Sequence, residues 1–440
     1  MRKWFIVFLL LIWQAVFPGE NLLQSGPMVG YSEMTEVLLW IQTTEKAKVK
    51  FAYYEEGNPA SKQFTEEIIT QKQMAFTAKA IVSQLEPGKH YAYELYINNK
   101  KIERPYPLKF ETQTLWQWRE DPPPFSFVIG SCAYVNDPPY DRPGRPYGGE
   151  YEIFTAIHNT QPDMMLWLGD NTYLREADWY SRSGILYRHT HTRSLPEIQP
   201  LLGSAHHYAI WDDHEFGPNN SDRSYRNKHH TLEAFKLFWG NPTFGIDGKP
   251  GITTMFQWAD VDFFLLDNRY YRAPQNRITG ERTILGEPQI EWLIDALSTS
   301  SAPFKFVVVG GQFLNVVARF ENYITYPEER ARILRAISQE NISGVIFLTG
   351  DRHHTELSKL NRPGKYSLYD LTISPLTAGP ASRAIDEPNY LRVPDTFVGA
   401  RNFAKLDVSG PRQDRVLMIT VYDKDGTTLW TRTIKASELR

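Results

Sequence analysis

The sequence predicts an α/β protein preceded by a small all-β domain of immunoglobulin or fibronectin type. Between residues 26 and 114, short β-like runs are separated by turn signals, which is the pattern of a β-sandwich. Beyond residue 124, apolar runs alternate with helical periods, as in α/β layer structures. The polar stretch 116–124 ends in three consecutive prolines, which form a stiff linker. We therefore predict one domain over 21–115 and a second over 116–440.

Length and composition limit the function classes. A chain of 440 residues exceeds one ordinary core, and 42% apolar with 22% charged residues is typical of folded proteins. The formal net charge of -3 leaves no basic excess for phosphate contacts, so we predict no specific nucleic-acid binding. A small anionic substrate needs only local charge and stays possible.

The N-terminus has the pattern of a secretory signal peptide, which we place at residues 1–20. Arg2 and Lys3 precede an almost entirely apolar run over residues 4–17. This run is shorter than the ~20 residues that cross a bilayer, so we expect no stable membrane span after cleavage. A permanent anchor is the alternative. The predicted location is the periplasm or the extracellular space.

In the all-β region, residues 37–43, 47–54, 74–81 and 90–97 are rich in β-branched and aromatic side chains and predict strands. Turn signals at 86–88 and 98–100 separate them. No cluster of His, Asp or Glu with ligand spacing occurs there. We expect this region to support the second domain or to build the rim of its site.

The second region alternates strands, helices and one long loop. Apolar runs predict strands at 126–129, 164–168, 208–211, 261–266, 306–309, 345–348 and 369–374, and a closing hairpin at 416–422 and 427–431. Helical periods cover 151–158, 231–238, 287–297 and 327–339. Residues 134–149, rich in Pro, Gly and Tyr, predict an irregular loop.

Four of these apolar runs end in side chains that could bind a metal ion. These side chains are Cys132, then Asp170 with Tyr173, then Asp212 with Asp213 and His214, then Asp351 with His353 and His354. In open α/β sheets, ligands bind beyond the carboxyl ends of the strands. One such cluster could be a strand or helix cap, but four at the same position predict a metal site.

The ligand types indicate the metals. A thiolate and a phenolate, at Cys132 and Tyr173, favour ferric iron, and carboxylates favour calcium, magnesium or manganese at a second position. Two metals that share a carboxylate can activate a water for in-line displacement at phosphorus. The alternatives are that Cys132 is an inert buried thiol and Tyr173 an ordinary packed aromatic.

These motifs resemble those of the calcineurin-like metallophosphoesterases, and specifically of the PhoD-type alkaline phosphatases. The resemblance rests on Gly130-Ser131-Cys132, Gly169-Asp170-Asn171-Thr172-Tyr173, Asp212-Asp213-His214-Glu215 and Gly350-Asp351-Arg352-His353. It covers nearly the whole mature chain. It implies a four-layer sandwich of two sheets flanked by helices, and hydrolysis of phosphate monoesters or diesters by a metal-bound hydroxide.

The resemblance also implies a role for each motif residue. Cys132 and Tyr173 would bind Fe(3+), and Asp170 would bridge to a second metal, which in that family is Ca(2+). The other implied roles are Asp213 as a ligand in place of an asparagine, His214 facing the leaving group, and Asp351 with His353 as further ligands. One ligand histidine of the superfamily is absent here, where the chain has Gly310-Gly311-Gln312. Gln312 or a water would have to supply this ligand, which favours a hard, oxygen-binding ion at the second position.

The sequence suggests several candidates for the substrate-binding residues and for the substrate. Arg269 and Arg352 are natural partners for a phosphate group. His354 is expected at the rim or behind the ligands, and not as a ligand itself. The substrate could be a small phosphate ester of broad type, or a lipid or polymer ester bound by the aromatic loop 134–151. A non-enzymatic, metal-stabilised binding protein is the third hypothesis. We expect a monomer.

Overall fold

The computed structural model describes residues 22–440, and the predicted signal peptide lies outside them. Residues 22–115 form strands β1 (Leu23–Ser32), β2 (Glu36–Thr43), β3 (Lys48–Glu55), β4 (Gln63–Phe64), β5 (Ile68–Ile69), β6 (Thr77–Ser83), β7 (His90–Ile97), β8 (Lys100–Ile102) and β9 (Lys109–Glu111). Strands β3, β4, β5, β7, β8 and β9 form a small antiparallel sheet. Its apolar face packs on β2 through Leu39, Phe51 and Leu95. The all-β region predicted from the sequence is therefore confirmed.

The remaining chain supplies twelve strands and seven α-helices. The strands are β10 (Phe125–Gly130), β11 (Met164–Leu168), β12 (His206–Ile210), β13 (Thr254–Trp258), β14 (Val261–Leu265), β15 (Lys305–Val308), β16 (Val345–Thr349), β17 (Glu356–Leu360), β18 (Leu368–Thr372), β19 (Asn402–Ser409), β20 (Val416–Asp423) and β21 (Thr428–Lys435). The helices are α1 (Glu152–Asn159), α2 (Arg182–Arg193), α3 (Gln199–Leu202), α4 (Asp213–Phe216), α5 (Lys228–Phe238), α6 (Glu287–Thr299) and α7 (Pro327–Gln339).

Two large sheets lie face to face. The first has nine strands in the order β21-β20-β19-β10-β11-β12-β1-β2-β6, and the second has six in the order β13-β14-β15-β16-β18-β17. Phe127 of β10 contacts Phe263 of β14 and Phe306 of β15, with ring centroids 5.2 and 5.3 Å apart. Strands β10, β11 and β12 are parallel to one another and buried along their length, as expected for strands covered on both faces.

Helices cover the outer face of each sheet. In α1, Phe154 packs on Trp167 of β11 with ring centroids 6.0 Å apart. Helices α6 and α7 place Leu293 and Ile333 in one apolar cluster with Phe347 of β16. The order of layers is thus helix, sheet, sheet, helix, and the predicted four-layer sandwich is confirmed.

The two regions of the chain share one sheet. Strand β1 pairs in parallel with β12 at Val29 and His206, so β1, β2 and β6 extend the first sheet. The predicted boundary at 115 and 116 therefore separates two chain segments without interrupting the sheet. As a boundary between independently folding units, it stays a prediction.

Several elements differ from the sequence-based prediction. The strand predicted at 74–81 begins only at Thr77, because Lys72–Met74 form a 3-10 turn and Ala75 and Phe76 have positive φ angles of 50° and 54°. Strands β1, β13, β17 and β19 and the short strands β4, β5, β8 and β9 were not predicted from the sequence. Within residues 22–440, none of the helices has both the length and the apolar character needed to cross a membrane.

Candidate metal centre

The ligand-bearing turns of both sheets meet at the carboxyl ends of their parallel strands. Cys132 follows β10 and Asp170 follows β11, whereas Asp351 and His353 follow β16 of the second sheet. These four residues all have positive φ angles, of 60°, 54°, 67° and 56°. Residues other than glycine rarely adopt this conformation, and such strain is concentrated at functional sites. The three turns that carry these residues are therefore shaped to direct the side chains inward.

The turn after β12 also carries candidate ligands, and a capping box determines its shape. Asp212 precedes the four-residue helix α4, and Glu215 accepts a hydrogen bond from the Asp212 backbone N–H at 3.0 Å. The turn after β11 approaches so closely that a Cβ on Gly169 would lie 2.8 Å from the Asp212 Cβ. Gly169 also has a φ of 95°, so glycine is required there for both reasons.

One group of candidate ligands surrounds the Asp170 carboxylate. Its Oδ2 lies 3.6 Å from the Cys132 Sγ and 3.3 Å from the Tyr173 Oη. The Tyr173 Oη lies 3.3 Å from the His353 Nε2. Ligand atoms that each lie about 2.0–2.3 Å from one metal are separated by about 3–4 Å, so this spacing fits a common metal ion. The structure brings together Cys132, Asp170 and Tyr173, which the sequence analysis placed at the iron site. It adds His353, which the sequence analysis gave only as a further ligand.

A second group adjoins the first. Ligand atoms of Asp170, Asp213 and His214 lie within 4.8 Å of one another, and the same holds for Asp212, Asp213 and Asp351. Asp170 belongs both to this group and to the group with Cys132 and His353. A carboxylate shared in this way has the placement required of a bridge between two metal ions.

The electrostatics of the cluster favour a bound cation. Burial, and then the charges of Asp212 and Asp213, raise the pKa of Asp351 well above its usual range. Burial and the neighbouring Asp213 do the same to the pKa of Asp170. Asp212 Oδ2 and Asp213 Oδ1 are buried and accept no hydrogen bond. Buried carboxylates without partners are unfavourable, and a metal ion would satisfy both oxygens. The residues present therefore fit a metal ion.

Asp212 is only partly available as a ligand. Its Oδ1 accepts a hydrogen bond from Asn268 Nδ2 at 2.7 Å and also pairs with Arg269. For Asp213, burial alone would raise the pKa, but the charges of His214 and Arg269 lower it to about 2. Asp213 is thus the more readily ionised member of the pair.

His214 lies at the edge of the cluster and remains partly accessible. It stands in the first turn of α4, and its side chain is 22% exposed. Its ring lies against Tyr173 with centroids 4.2 Å apart, and its backbone N–H faces Asp170 Oδ1 at 3.3 Å. A side chain in this position can contact both the cluster and a bound molecule.

His353 is oriented by the backbone. Its Nδ1 lies 2.7 Å from the Gly379 carbonyl oxygen, so the ring donates there and presents Nε2 to the cluster. Its backbone N–H donates to Ser374 Oγ at 3.0 Å, and Ser374 Oγ lies 3.1 Å from the Cys132 Sγ. Ser374 therefore connects two candidate ligands that are far apart in the sequence.

The side chains of the three predicted substrate-binding residues lie against acidic groups of the protein itself. Arg269 is fully buried and pairs with Glu321, at 2.6 Å, and with Asp212. Arg352 donates to both carboxylate oxygens of Glu387, at 2.7 and 2.8 Å. His354 is fully buried and lies 3.8 Å from a carboxylate oxygen of Glu356. Full burial excludes a place at the rim for His354 and leaves a place behind the ligands, the other position expected from the sequence. A substrate-binding role for the two arginines stays a prediction without support from their contacts.

Other residues with a role in the site were not assigned from the sequence. Glu215 accepts backbone N–H groups from Asp170 and Asp212, so it connects two ligand-bearing turns. The role of Glu215 could have been recognised from the sequence, because an acid three residues after Asp212 completes a capping box.

The role of Ser374 could not have been recognised in this way, since it lies 242 residues from Cys132. Gln312 donates to Glu356 and Thr372 and is buried, so it does not replace the missing histidine.

Comparisons with known proteins identify relatives of the two regions of the chain. A family model described as PhoD-like phosphatase matches residues 127–396, and one described as a domain of unknown function (DUF7800) matches residues 20–115. Alkaline phosphatase D of Bacillus subtilis (strain 168) is 24% identical over 326 residues, which are 63% of this chain and 53% of the relative. The chain thus spans about half the length of this curated relative.

Two solved structures have a similar fold. The structure of PhoD superposes with a TM-score of 0.76 at 17% identity and covers 95% of this chain and 93% of its own. The purple acid phosphatase PPD1 from yellow lupin (Lupinus luteus) seeds superposes with a TM-score of 0.66 at 13% identity, covering 95% and 75% respectively. Both likenesses concern the fold.

Proposed function

The chain belongs to the PhoD-like phosphatase family, and we propose that it is a metal-dependent hydrolase of phosphate monoesters, phosphodiesters or both. The observation that carries the proposal is the double cluster around Asp170, in which buried carboxylate oxygens lack partners. Such a cluster needs cations, and two cations that share a carboxylate suit phosphoryl chemistry. The family match to residues 127–396 supports the same reaction class.

We assign Fe(3+) to Cys132, Asp170, Tyr173 and His353, because a thiolate and a phenolate suit a trivalent ion. Ca(2+), or Mg(2+) or Mn(2+), would be held by the oxygen-rich side of the cluster, with Asp170, Asp213 and Asp351. When bound, the two ions supply an activated water and neutralise charge on the phosphoryl oxygens. This ligand set rests on the geometry above and on the type of each donor atom.

The protein's own side chains orient the reaction. His214 is proposed to donate a proton or a hydrogen bond to the leaving oxygen, because it borders both the cluster and the open cavity beside it. Tyr173 also borders both, but its hydroxyl is assigned to the iron. Tyr173 packs against His214 with ring centroids 4.2 Å apart and so limits the positions that the His214 ring can take. Glu215 keeps the turns of Asp170 and Asp212 at their present separation.

The test uses paired chromogenic monoester and diester substrates after loading with iron and calcium, with metal content measured on the same sample. We expect turnover of at least one substrate, and we expect His214→Ala to retain its metals and lose most of that turnover. Unchanged turnover in this variant would reject the role of His214. No turnover of any ester by the fully loaded protein would favour a non-enzymatic metal-binding protein.

Export is a separate part of the proposal. Residues 1–20 have the composition of a signal peptide, which supports a periplasmic or secreted enzyme. N-terminal sequencing of protein recovered from outside the cytoplasm should begin near residue 21. Recovery of the full chain, beginning at Met1, from the membrane fraction would instead indicate an uncleaved anchor.

A further inference from the structure

A cavity of about 330 Å3 opens beside the metal cluster. Tyr173 and His214 contribute to its lining, and the other lining residues come from the loops that follow β10 and β11, with Asn219 added. Its volume lies within the ~300–1,000 Å3 typical of small-molecule sites. The cavity is therefore large enough for an organic group next to the reacting phosphorus.

The position of the cavity determines which part of a substrate can enter it. Under the proposed function, His214 faces the leaving oxygen, and His214 is part of the cavity wall. A group bonded to that oxygen would extend from the cluster past His214 into the cavity. The cavity is consequently placed to receive the leaving group of the ester.

The cavity wall is aromatic and partly fixed in place. Tyr134 lies edge-on to Tyr147, with ring centroids 4.9 Å apart. The Tyr134 ring centroid also lies 5.0 Å from that of Tyr173. The Arg175 guanidinium stacks on the Tyr134 ring at 3.9 Å, and Asp141 accepts the Tyr134 hydroxyl at 2.7 Å. These contacts hold the Tyr134 ring in one orientation, which lowers the entropy lost when a ligand packs against it.

Two further tyrosines remain open to a ligand. Tyr140 and Tyr147 line the cavity and are 43% and 46% exposed. Planar rings bind favourably to such faces by edge or offset stacking, whereas a flexible alkyl chain gains only area burial. The wall therefore favours a ring-bearing leaving group.

The rim adds uncompensated positive charge. Three arginines and two carboxylates line the cavity, and Asp141 is already paired with Arg175 at 2.9 Å. Arg142 has only Glu176 at 3.8 Å, and both side chains are largely exposed. Within residues 22–440, Arg145 makes no side-chain hydrogen bond or ion pair. At least one guanidinium at the rim is thus available for an anion.

We propose that the cavity selects esters whose leaving group is an aromatic or heteroaromatic ring carrying a second anionic group. The ring lies against the tyrosines, and the anion reaches Arg142 and Arg145 at the rim. This inference rests on the proposed function, because it assumes that the ester is cleaved at the neighbouring cluster. It deepens that function by naming the substrate class.

The test compares two esters that differ in one charge. Methyl 4-carboxyphenyl phosphate carries the extra anion, and methyl 4-carbamoylphenyl phosphate is its neutral counterpart; the matching monoesters serve if the enzyme prefers them. For each protein we take the ratio of kcat/KM for the anionic ester to kcat/KM for the neutral ester. Comparing this ratio between variant and wild type cancels the different reactivity of the two phenols.

We expect the ratio to fall about two- to five-fold in Arg145→Ala and in Arg142→Ala, the range for a largely exposed ion pair. Arg145→Glu should lower it further. Arg335→Ala, at an exposed arginine of α7 outside this cavity, is the matched control and should leave the ratio unchanged. An unchanged ratio in an Arg142→Ala/Arg145→Ala double variant would overturn the proposed anion site.

The preference for an aromatic ring is tested separately, by comparing two inhibitors. 4-Hydroxybenzoate should inhibit wild type more strongly than trans-4-hydroxycyclohexanecarboxylate, which has the same charge but no aromatic face. Tyr140→Leu should weaken the first inhibitor about two- to ten-fold more than the second. Equal effects on both, or a preference of wild type for long alkyl esters, would overturn the inference while leaving the hydrolase assignment intact. Absence of turnover on every ester would instead overturn the proposed function, and the inference with it.

Discussion

Replacing Glu215 by glutamine tests how the two ligand-bearing turns are held together. The Glu215 side chain is buried, and its Oε2 accepts the N–H groups of Asp170 at 2.9 Å and Asp212 at 3.0 Å. Its Oε1 accepts the N–H of Asn171. Glutamine can keep one accepting oxygen, so its amide N–H2 must face at least one of these three donors.

The expected loss of stability follows from the three N–H groups that Glu215 binds. Burial raises the pKa of Glu215 to about 8, so unfolding is compared above pH 8, where the carboxylate is charged. One buried N–H without an acceptor costs about 1–3 kcal/mol, and exchanging a charged for a neutral acceptor weakens each of the other two bonds by about 1 kcal/mol. Glu215→Gln should therefore lower the free energy of unfolding by about 3–5 kcal/mol. Glu215→Ala would leave three donors unpaired, at about 3–9 kcal/mol, which approaches the whole stability of many domains. Glutamine is thus the informative substitution.

The assay is urea unfolding of the metal-free protein in the presence of a chelator, so that metal affinity does not enter the result. Glu66→Gln, at an exposed glutamate of the N-terminal region, is the control and should change stability by less than about 0.5 kcal/mol. A loss below about 1 kcal/mol in Glu215→Gln would show that these hydrogen bonds do not hold the turns. If the loss has the expected size, metal titration of the same variant should also show weaker binding, since the turns that carry Asp170 and Asp212 are no longer held together.

Three further predictions concern other parts of the molecule. Gly310→Ala would place a Cβ 2.4 Å from the Asp212 Cγ, so we expect a loss of about 1–3 kcal/mol in urea unfolding together with weaker metal binding; wild-type values for both would contradict this packing. Burial and then Arg193 lower the pKa of His189 to about 3, so below its unfolded pKa of ~6.5 only the unfolded chain gains the proton, and stability falls with decreasing pH. Between pH 7 and pH 5, wild type should lose about 2 kcal/mol more than His189→Leu, and equal losses would show that His189 is not the group responsible. Tyr173→Phe should abolish the visible tyrosinate-to-iron absorption of the iron-loaded protein, and an unchanged band would remove Tyr173 from the iron ligands.

Much of the fold was predictable from local patterns. The parallel strands β10, β11 and β12 each contain a short apolar run that is followed by glycine or by acidic residues, so their type and carboxyl ends could be located closely. Strand β1 was missed, because its pairing with β12 joins Val29 to His206 and depends on contacts far apart in the chain. The continuous sheet that this pairing creates has no local signature.

The sequence by itself determined the candidate ligands and their kind. Cys132, Asp170, Tyr173, Asp213, Asp351 and His353 each follow a recognisable strand end, and parallel strands place their carboxyl ends together. Only the tertiary structure decided which charged groups are free. Arg269 pairs with Glu321, 52 residues away, and Arg352 with Glu387, 35 residues away, whereas Arg145 has no partner in the described chain. Burial and ion pairing arise from segments distant in sequence, and a local pattern contains no information about them.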